Sequence, residues 1–252
     1  MKEQIKNALA YKVRALDARD SGDLTRALAL INKAISLLDE LWNQKGEAID
    51  SAGDNASPDE QNLVEALAET HGVKGGILRS SGDFESAVRA YDQGLLFEQH
   101  KARKVDNSYN LVQGLTNRVL AAPGMAGAPE WKVISKDMWH ELEKARDELQ
   151  RQGVSRGNDP WWAADVITVQ LLLTPRDPSN GRQQLQKVYS EFEKLEPKAR
   201  VYESALRALG DLNSSLEQVA EDDRSENVNV IVGQLKDITE RFEAGFEEAK
   251  TR

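Results

Sequence analysis

The sequence predicts an all-α fold of about ten helices, on three observations. All seven prolines fall in clusters of turn residues, where they mark boundaries, because proline removes a backbone donor and clashes one turn back. Between them lie segments of roughly 15–25 residues with apolar side chains at 3- and 4-residue spacing. Strand signals are nearly missing: Val228–Val232 is the one β-branched run, and helix-like sequence follows it.

The elements follow in order. Helices are expected over 2–20, 24–49, 58–80, 84–103 and 107–121, then over 130–152, 160–173, 180–195, 198–219 and 227–250. Asp23 and Asp83 each follow a glycine and can accept hydrogen bonds from the free amides of the helix behind them. Ser57-Pro58-Asp59-Glu60 reads as a capping box with proline at the first helical position, and Asp159-Pro160 does the same before Trp161 and Trp162. Pro123 and Pro129 bracket a glycine-containing loop, Pro175 and Pro178 a second turn, and Pro197 stands alone after Glu196.

Composition narrows the function. The chain has 252 residues, 40% apolar and 30% charged, which suits one elongated domain or two small ones. No apolar run approaches the roughly 18 residues of a membrane helix; the longest is near Ile167–Leu173. Met1–Lys6 lacks the apolar core of a secretory leader, so a cytoplasmic setting is expected. With no cysteine there is no disulfide, no thiolate metal site and no thiol nucleophile. A net charge of −9 argues against a nucleic-acid duplex as partner. The charge is −6 over 51–100 and again over 201–252, with a mildly basic centre between them. Such runs are most simply solvated helix faces.

An internal repeat is the strongest signal. Ala15, Ala27 and Ala34 recur as Gly75, Ala87 and Gly94, spaced 12 and then 7. Each set straddles a Gly-Asp turn followed by an apolar residue, Gly22-Asp23-Leu24 and Gly82-Asp83-Phe84. Two antiparallel helices approach closely only where side chains are small, and glycine accepts the left-handed backbone of the turn. Each hairpin leaves an apolar face uncovered, so the units must stack.

These residues resemble the tetratricopeptide repeat (TPR) family, over 8–40 and 68–100. A degraded third copy is expected over 161–197, with Asn180-Gly181 in place of Gly-Asp and with Leu173 and Phe192 where small residues belong. Gly22 and Gly82 are 60 apart, so the pairs are not contiguous. The layout looks like divergent repeat modules of bacterial signalling and conflict proteins. It is also similar to the TRAFs-binding helical region of stress kinases, through Gly75–Arg79 and Asn107–Asn110. The resemblance implies an α-α superhelix over 1–252, with 198–252 as capping helices and a non-enzymatic adaptor role.

The resemblance further implies that the first helix of each pair lines a concave surface. It assigns Lys12, Leu16 and Arg19 to that surface from the first pair, and Glu69, Gly72, Gly76 and Arg79 from the second. Arg19 and Arg79 share a repeat position. Arginine suits bidentate capture of carboxylate or phosphate, although each can equally pair with a neighbour such as Asp20 or Asp83. Gly72 and Gly76 leave the wall bare, so something approaches the backbone there: either the helix near 107–121 or a ligand. Tyr109, Asn110 and Arg118 form a second polar cluster. They offer a ring, an amide and a guanidinium to a base, sugar or peptide end, or else Asn107 is a cap and Tyr109 is buried. Trp131 and Trp139 share a helical face, and Trp161 and Trp162 point about 100° apart.

Catalytic signatures fail. His140-Glu141 begins a zinc-protease pattern, but Lys144 stands where the second histidine belongs. His71, His100 and His140 lie on separate expected helices, so no local metal-ligand spacing exists. No strand precedes Gly72–Gly76, as a phosphate loop requires. The expected function is therefore binding of a protein or peptide with an acidic or carboxylate-bearing segment. The alternative is a sensor for a small anionic, nucleotide-like ligand that signals to an effector. No cofactor is expected. The stripe of Val228, Ile231, Leu235, Ile238 and Phe242 suits either a cap or a homodimer contact.

Overall fold

The computed structural model describes residues 1–103, 107–121, 136–217 and 226–251. They form helices α1 (Lys2–Asp20), α2 (Leu24–Ala52), α3 (Pro58–Ser80), α4 (Phe84–Glu98) and α5 (Tyr109–Ala121). Helices α6 (Lys136–Arg156), α7 (Pro160–Leu173), α8 (Pro178–Lys194), α9 (Ala199–Glu217) and α10 (Glu226–Thr251) follow, with 3-10 turns at Gly53–Asn55 and Thr174–Arg176. The fold is all-α, and no strand occurs among the described residues. No helix among them is long and apolar enough to cross a membrane. Pro123, Pro129, Trp131 and the expected helical stretches 130–135 and 218–219 lie outside the described residues.

Local chemistry accounts for the ends. Asp23 accepts from the Arg26 amide and Asp83 from the Ser86 amide, each at 3.0 Å. Ser57 and Glu60 close the capping box reciprocally, and Asp159 accepts from the Trp161 amide. The two Gly-Asp turns are built alike. Gly22 and Gly82 have φ of 83° and 78°. The Gly22 and Gly82 amides donate to the carbonyls of Arg19 and Arg79, and those of Asp23 and Asp83 to Ala18 and Leu78. This double bond pattern satisfies the carbonyls at the end of the helix and needs glycine's left-handed freedom. Three ends differ from expectation by three residues or more. α2 continues to Ala52, where Gly53 takes φ 50°, and α6 runs to Arg156. α4 stops at Glu98 instead of 103, because His100 and Ala102 leave the helix and Ala102 packs into the core under α2 and α3.

The chain divides into two compact units, Met1–Arg118 and Val119–Arg252. In the first, α1 pairs with α2 and α3 with α4, and α3 also lies against α1 and α2. Ala15 and Ala27 are fully buried in one cluster with Ala18, Ile31 and Ile77. Gly75 admits the ring of Tyr91: a Cβ there would stand 2.6 Å from Tyr91 Cζ. A second cluster, with Leu38, Leu41, Ile49, Leu63 and Leu67, fills the other end.

In the second unit, α7 packs against both α6 and α8, and α9 pairs with α10. Leu173 and Phe192 are buried, so the α7–α8 pair carries bulk where the first two pairs carry small residues. Close approach occurs instead at Gly181, whose Cβ would lie 2.7 Å from the Thr174 backbone. The α10 stripe Val228, Ile231, Leu235, Ile238 and Phe242 is buried inside this unit. Phe242 meets Tyr189, Phe192 and Tyr202 edge-on, at centroid distances of 5.1–5.7 Å. That face is already covered by the chain itself, so pairing with a second copy through it requires it to be unpacked. The β-branched run Val228–Val232 is helical because Val228 and Ile231 are buried on this stripe; burial overrides a weak local preference.

One substitution should act with opposite signs at two helical glycines. Gly75→Ala drives a methyl into Tyr91 and should destabilise by about 1–3 kcal/mol. Gly233→Ala, with no described atom within 4 Å of its Cβ, should stabilise by about 0.5–1 kcal/mol. Urea unfolding of both variants checks this.

Candidate functional site

The bare wall at Gly72 is filled by α5. Asn110, 2% exposed, is seated between α3 and α4. Its Oδ1 lies 2.8 Å from where a Gly72 Cβ would be and 2.5 Å from that of Gly94, and the Tyr109 ring covers the rest of Gly72. Asn110 Nδ2 donates to the Ala68 carbonyl at 3.1 Å and to Glu98 Oε2 at 2.8 Å. The same Glu98 oxygen accepts from the Asn110 amide at 2.9 Å. Of the two occupants that the sequence allows at Gly72, the helix is the one present. Asn107 caps α5, with its Oδ1 accepting from the Ser108 and Tyr109 amides.

No local motif marks Glu98 in the sequence. It carries a buried carboxylate whose proton affinity is pushed up by burial, against the pull of the Asn110 and Leu111 amides and the Arg103 charge. A signal for it existed. Ala87, Ala90, Tyr91, Gly94 and Glu98 are the buried stripe of α4, so Glu98 sits at a core position of its helix. Arg103, nearly buried, grips Glu65 with Nε and Nη2 and donates to the Glu98 carbonyl.

The other expected site residues separate into two groups. Lys12 forms an ion pair with Glu69 across α1 and α3. Arg118 pairs with Asp92 at 2.6 Å. Arg79 is buried, 7% exposed, and donates to Gln113 Oε1 at 2.6 Å, so its guanidinium serves the α3–α5 contact. These three are therefore engaged within the unit.

Arg19, Gly76 and Tyr109 do come together. Arg19 directs Nε and Nη2 to its neighbour Asp20, at 3.0 and 2.8 Å. Its remaining nitrogen, Nη1, lies 3.8 Å from the point a Gly76 Cβ would occupy. The hydroxyl oxygens of Tyr109 and Tyr91 lie at the same distance from that point. Gly76 is buried, and a guanidinium edge and two phenols surround the place of its missing side chain, the Gly76 cup. Neither Arg19 Nη1 nor the Tyr109 hydroxyl bonds to another described residue. The arrangement offers N–H and O–H donors to one anionic oxygen.

A second cluster lies at the far end of the unit. His71 stacks on Phe97 at 6.0 Å, and Trp42 meets Phe97 and His100 edge-on. His100 Nε2 is 2.7 Å from Asp50. Burial, with the Lys74 charge behind it, lowers the His71 proton affinity to about 4. Among the described residues no group of three or more His, Asp or Glu is arranged to hold a metal.

Compared with known proteins, the chain matches no family model, no curated protein and no solved structure.

Two outcomes follow from this geometry. Gly94→Ala forces a methyl onto Asn110 and should cost about 1–3 kcal/mol despite alanine's better helix propensity. Asn110→Ala should also destabilise, but the double variant should lose measurably less than the sum, as a double-mutant cycle in urea will show. His71 has its folded value below the ordinary 6.5, so the folded state resists protonation. Its contribution is present above pH 6.5 and is lost as pH falls toward about 4, by at most about 3 kcal/mol. The stability of His71→Phe, which keeps a ring against Phe97, should fall less than that of the wild type between pH 7 and pH 4.5.

Proposed function

We propose that the first unit is a non-enzymatic adaptor that binds a protein or peptide through the face formed by α1 and α3, with a partner carboxylate held in the Gly76 cup. One observation supports this above the others: the free edge of Arg19 and the Tyr109 hydroxyl converge over a residue with no side chain. Asp20 holds the opposite edge of the guanidinium, which leaves Nη1 pre-oriented, so little rotamer entropy is lost on binding. The resemblance to tetratricopeptide repeats supports the same reading, because it assigns this face to ligand contact. The rival reading, a sensor for a small nucleotide-like anion, draws on the bare Gly72 and Gly76 wall and on the Asn107–Arg118 cluster; α5 occupies Gly72, Asn107 caps that helix, Asn110 is buried and Arg118 pairs with Asp92, so what remains for it is the same cup.

The pair of changes that tests this is Arg19→Ala with Tyr109→Phe. Arg79 is unsuited to the purpose, because its removal would strand Gln113 in the interior. Tyr109→Phe keeps the ring over Gly72 and removes only the hydroxyl. A charge-assisted hydrogen bond contributes about 1.5–3 kcal/mol, so the double variant should bind a carboxylate-bearing partner roughly 10–100-fold more weakly with its melting temperature little changed. Partner recovery from native lysate by wild type and variant measures this. Equal recovery by the folded variant would remove the cup from the proposal. Thermal stabilisation by mononucleotides and cyclic nucleotides, about 2.7 kcal/mol at 100 times the dissociation constant, would favour the sensor instead.

A further inference from the structure

The second unit contains a trough that the reading above does not use. α7 is its floor, and α6 and α8, each packed against α7, are its walls. Two glycines let α7 sit deep between them: Gly153 of α6 admits the Trp162 ring, and Gly181 of α8 admits the Thr174 backbone. The trough has two compartments, of about 480 and 330 Å³. Both are lined by Arg146, Gln150, Gln170 and Gln184, which places these four side chains at the waist where the compartments meet.

The smaller compartment is apolar, with Trp162, Val166, Val169 and Val188 around it. The waist is different in kind. Gln150, Gln170 and Gln184 come from three separate helices, and none of their carboxamides bonds to another described residue. A carboxamide both donates and accepts, the pairing that an extended peptide backbone requires. A helical ligand satisfies its own backbone and would leave these groups unused. The trough runs from Trp162 to Leu173, about 16 Å of helix, which matches about five residues of extended chain.

Charge selects the ligand further. Three cations and two carboxylates, Glu143 and Asp177, edge the trough; Asp177 accepts from the Asn180 amide, and the apolar compartment has cations at its rim and no carboxylate. Arg146 is held by Asp147 at 2.9 Å and Arg176 by Glu143 at 2.9 Å. Lys187 forms no ion pair with a described residue, although Glu191 one turn on feels its charge. It stands at the rim of the apolar compartment.

We propose that this trough binds an extended acidic peptide segment of about five residues. Its backbone pairs with Gln150, Gln170 and Gln184, one aliphatic side chain enters the compartment beside Trp162, and a neighbouring carboxylate reaches Lys187. The site is independent of the Gly76 cup.

Fluorescence anisotropy on the full chain tests this with a labelled Glu-Leu-Glu-Leu-Glu peptide. Saturable binding is expected. A Lys-Leu-Lys-Leu-Lys peptide and an acidic peptide with N-methylated backbone should each bind at least tenfold more weakly. Lys187→Glu and the double variant Gln150→Ala/Gln184→Ala change exposed side chains, and each should weaken the acidic peptide about tenfold; Arg89→Ala, at an exposed arginine of the first unit, should leave it unchanged. The proposal is overturned by absence of saturable binding at millimolar peptide, by equal affinity for the lysine or N-methylated peptides, or by tighter binding of a helix-forming peptide of the same charge. The two control peptides alter only the ligand, so they test the charge and backbone requirements even if a variant fails to fold, and unchanged binding by both folded trough variants overturns the placement of the site.

Discussion

The first unit turns on the seat of one side chain. Asn110 enters the interior only because residues 72 and 94 lack a Cβ, and it is worth admitting only because the Ala68 carbonyl and Glu98 receive its amide hydrogens. Remove either glycine and the amide is expelled. Remove the amide and the Glu98 carboxylate loses one of its few compensating bonds in a place where ionisation already costs energy. Two helical glycines cost about 1–2 kcal/mol together relative to alanine. The buried network offsets that cost and specifies a single register for α5 on the α3–α4 pair, which an apolar contact would not.

The electrostatics of the site follow from that docking. An acidic chain has carboxylates to spare, and most cations near α3 and α4 are neutralised locally: Lys12 by Glu69, Arg103 by Glu65 and Arg118 by Asp92. The Lys12 and Arg118 pairs have exposed carboxylates, and pairs of that sort add little to stability, typically about 0–1 kcal/mol, while Arg103 is nearly buried and ties its segment to α3. Arg19 is the case that matters. Its pairing with the adjacent Asp20 is sequence-local and engages only one edge of the guanidinium. The other edge is left over Gly76, where a fixed ring hydroxyl from α5 faces it.

What could be read in the sequence was what depends on near neighbours. The Gly-Asp turns, the Ser57 capping box and the Asp159 cap were visible because each needs only a few consecutive residues. The small-residue register of the first two pairs was visible because it repeats. The end of α4 was not, since Ala102 is drawn out of the helix by a core formed from α2 and α3, far away in the chain. The occupant of the Gly72 wall stayed open for the same reason: glycine announces a close approach without naming what approaches. Glu98 was legible in principle as an acid on a buried stripe, and the trough glutamines were not, because three residues on three helices share no local pattern.

Arg19 and Arg79 show how a repeat yields a site. They occupy the same position after the same kind of helix, before turns with the same hydrogen bonds. Their fates differ because α5 lies over the second pair, burying Arg79 against Gln113, while Arg19 keeps an unused edge. The divergence of Ala34 and Gly94 has the same origin: both are buried, but only residue 94 must give way to Asn110. Equivalent residues are thus made different by a single added helix. Covered copies become structure, and the uncovered copy retains hydrogen-bonding capacity that a partner can use. On this argument the binding residue of a repeat pair is found where the repeat's symmetry is broken, not where it is best kept.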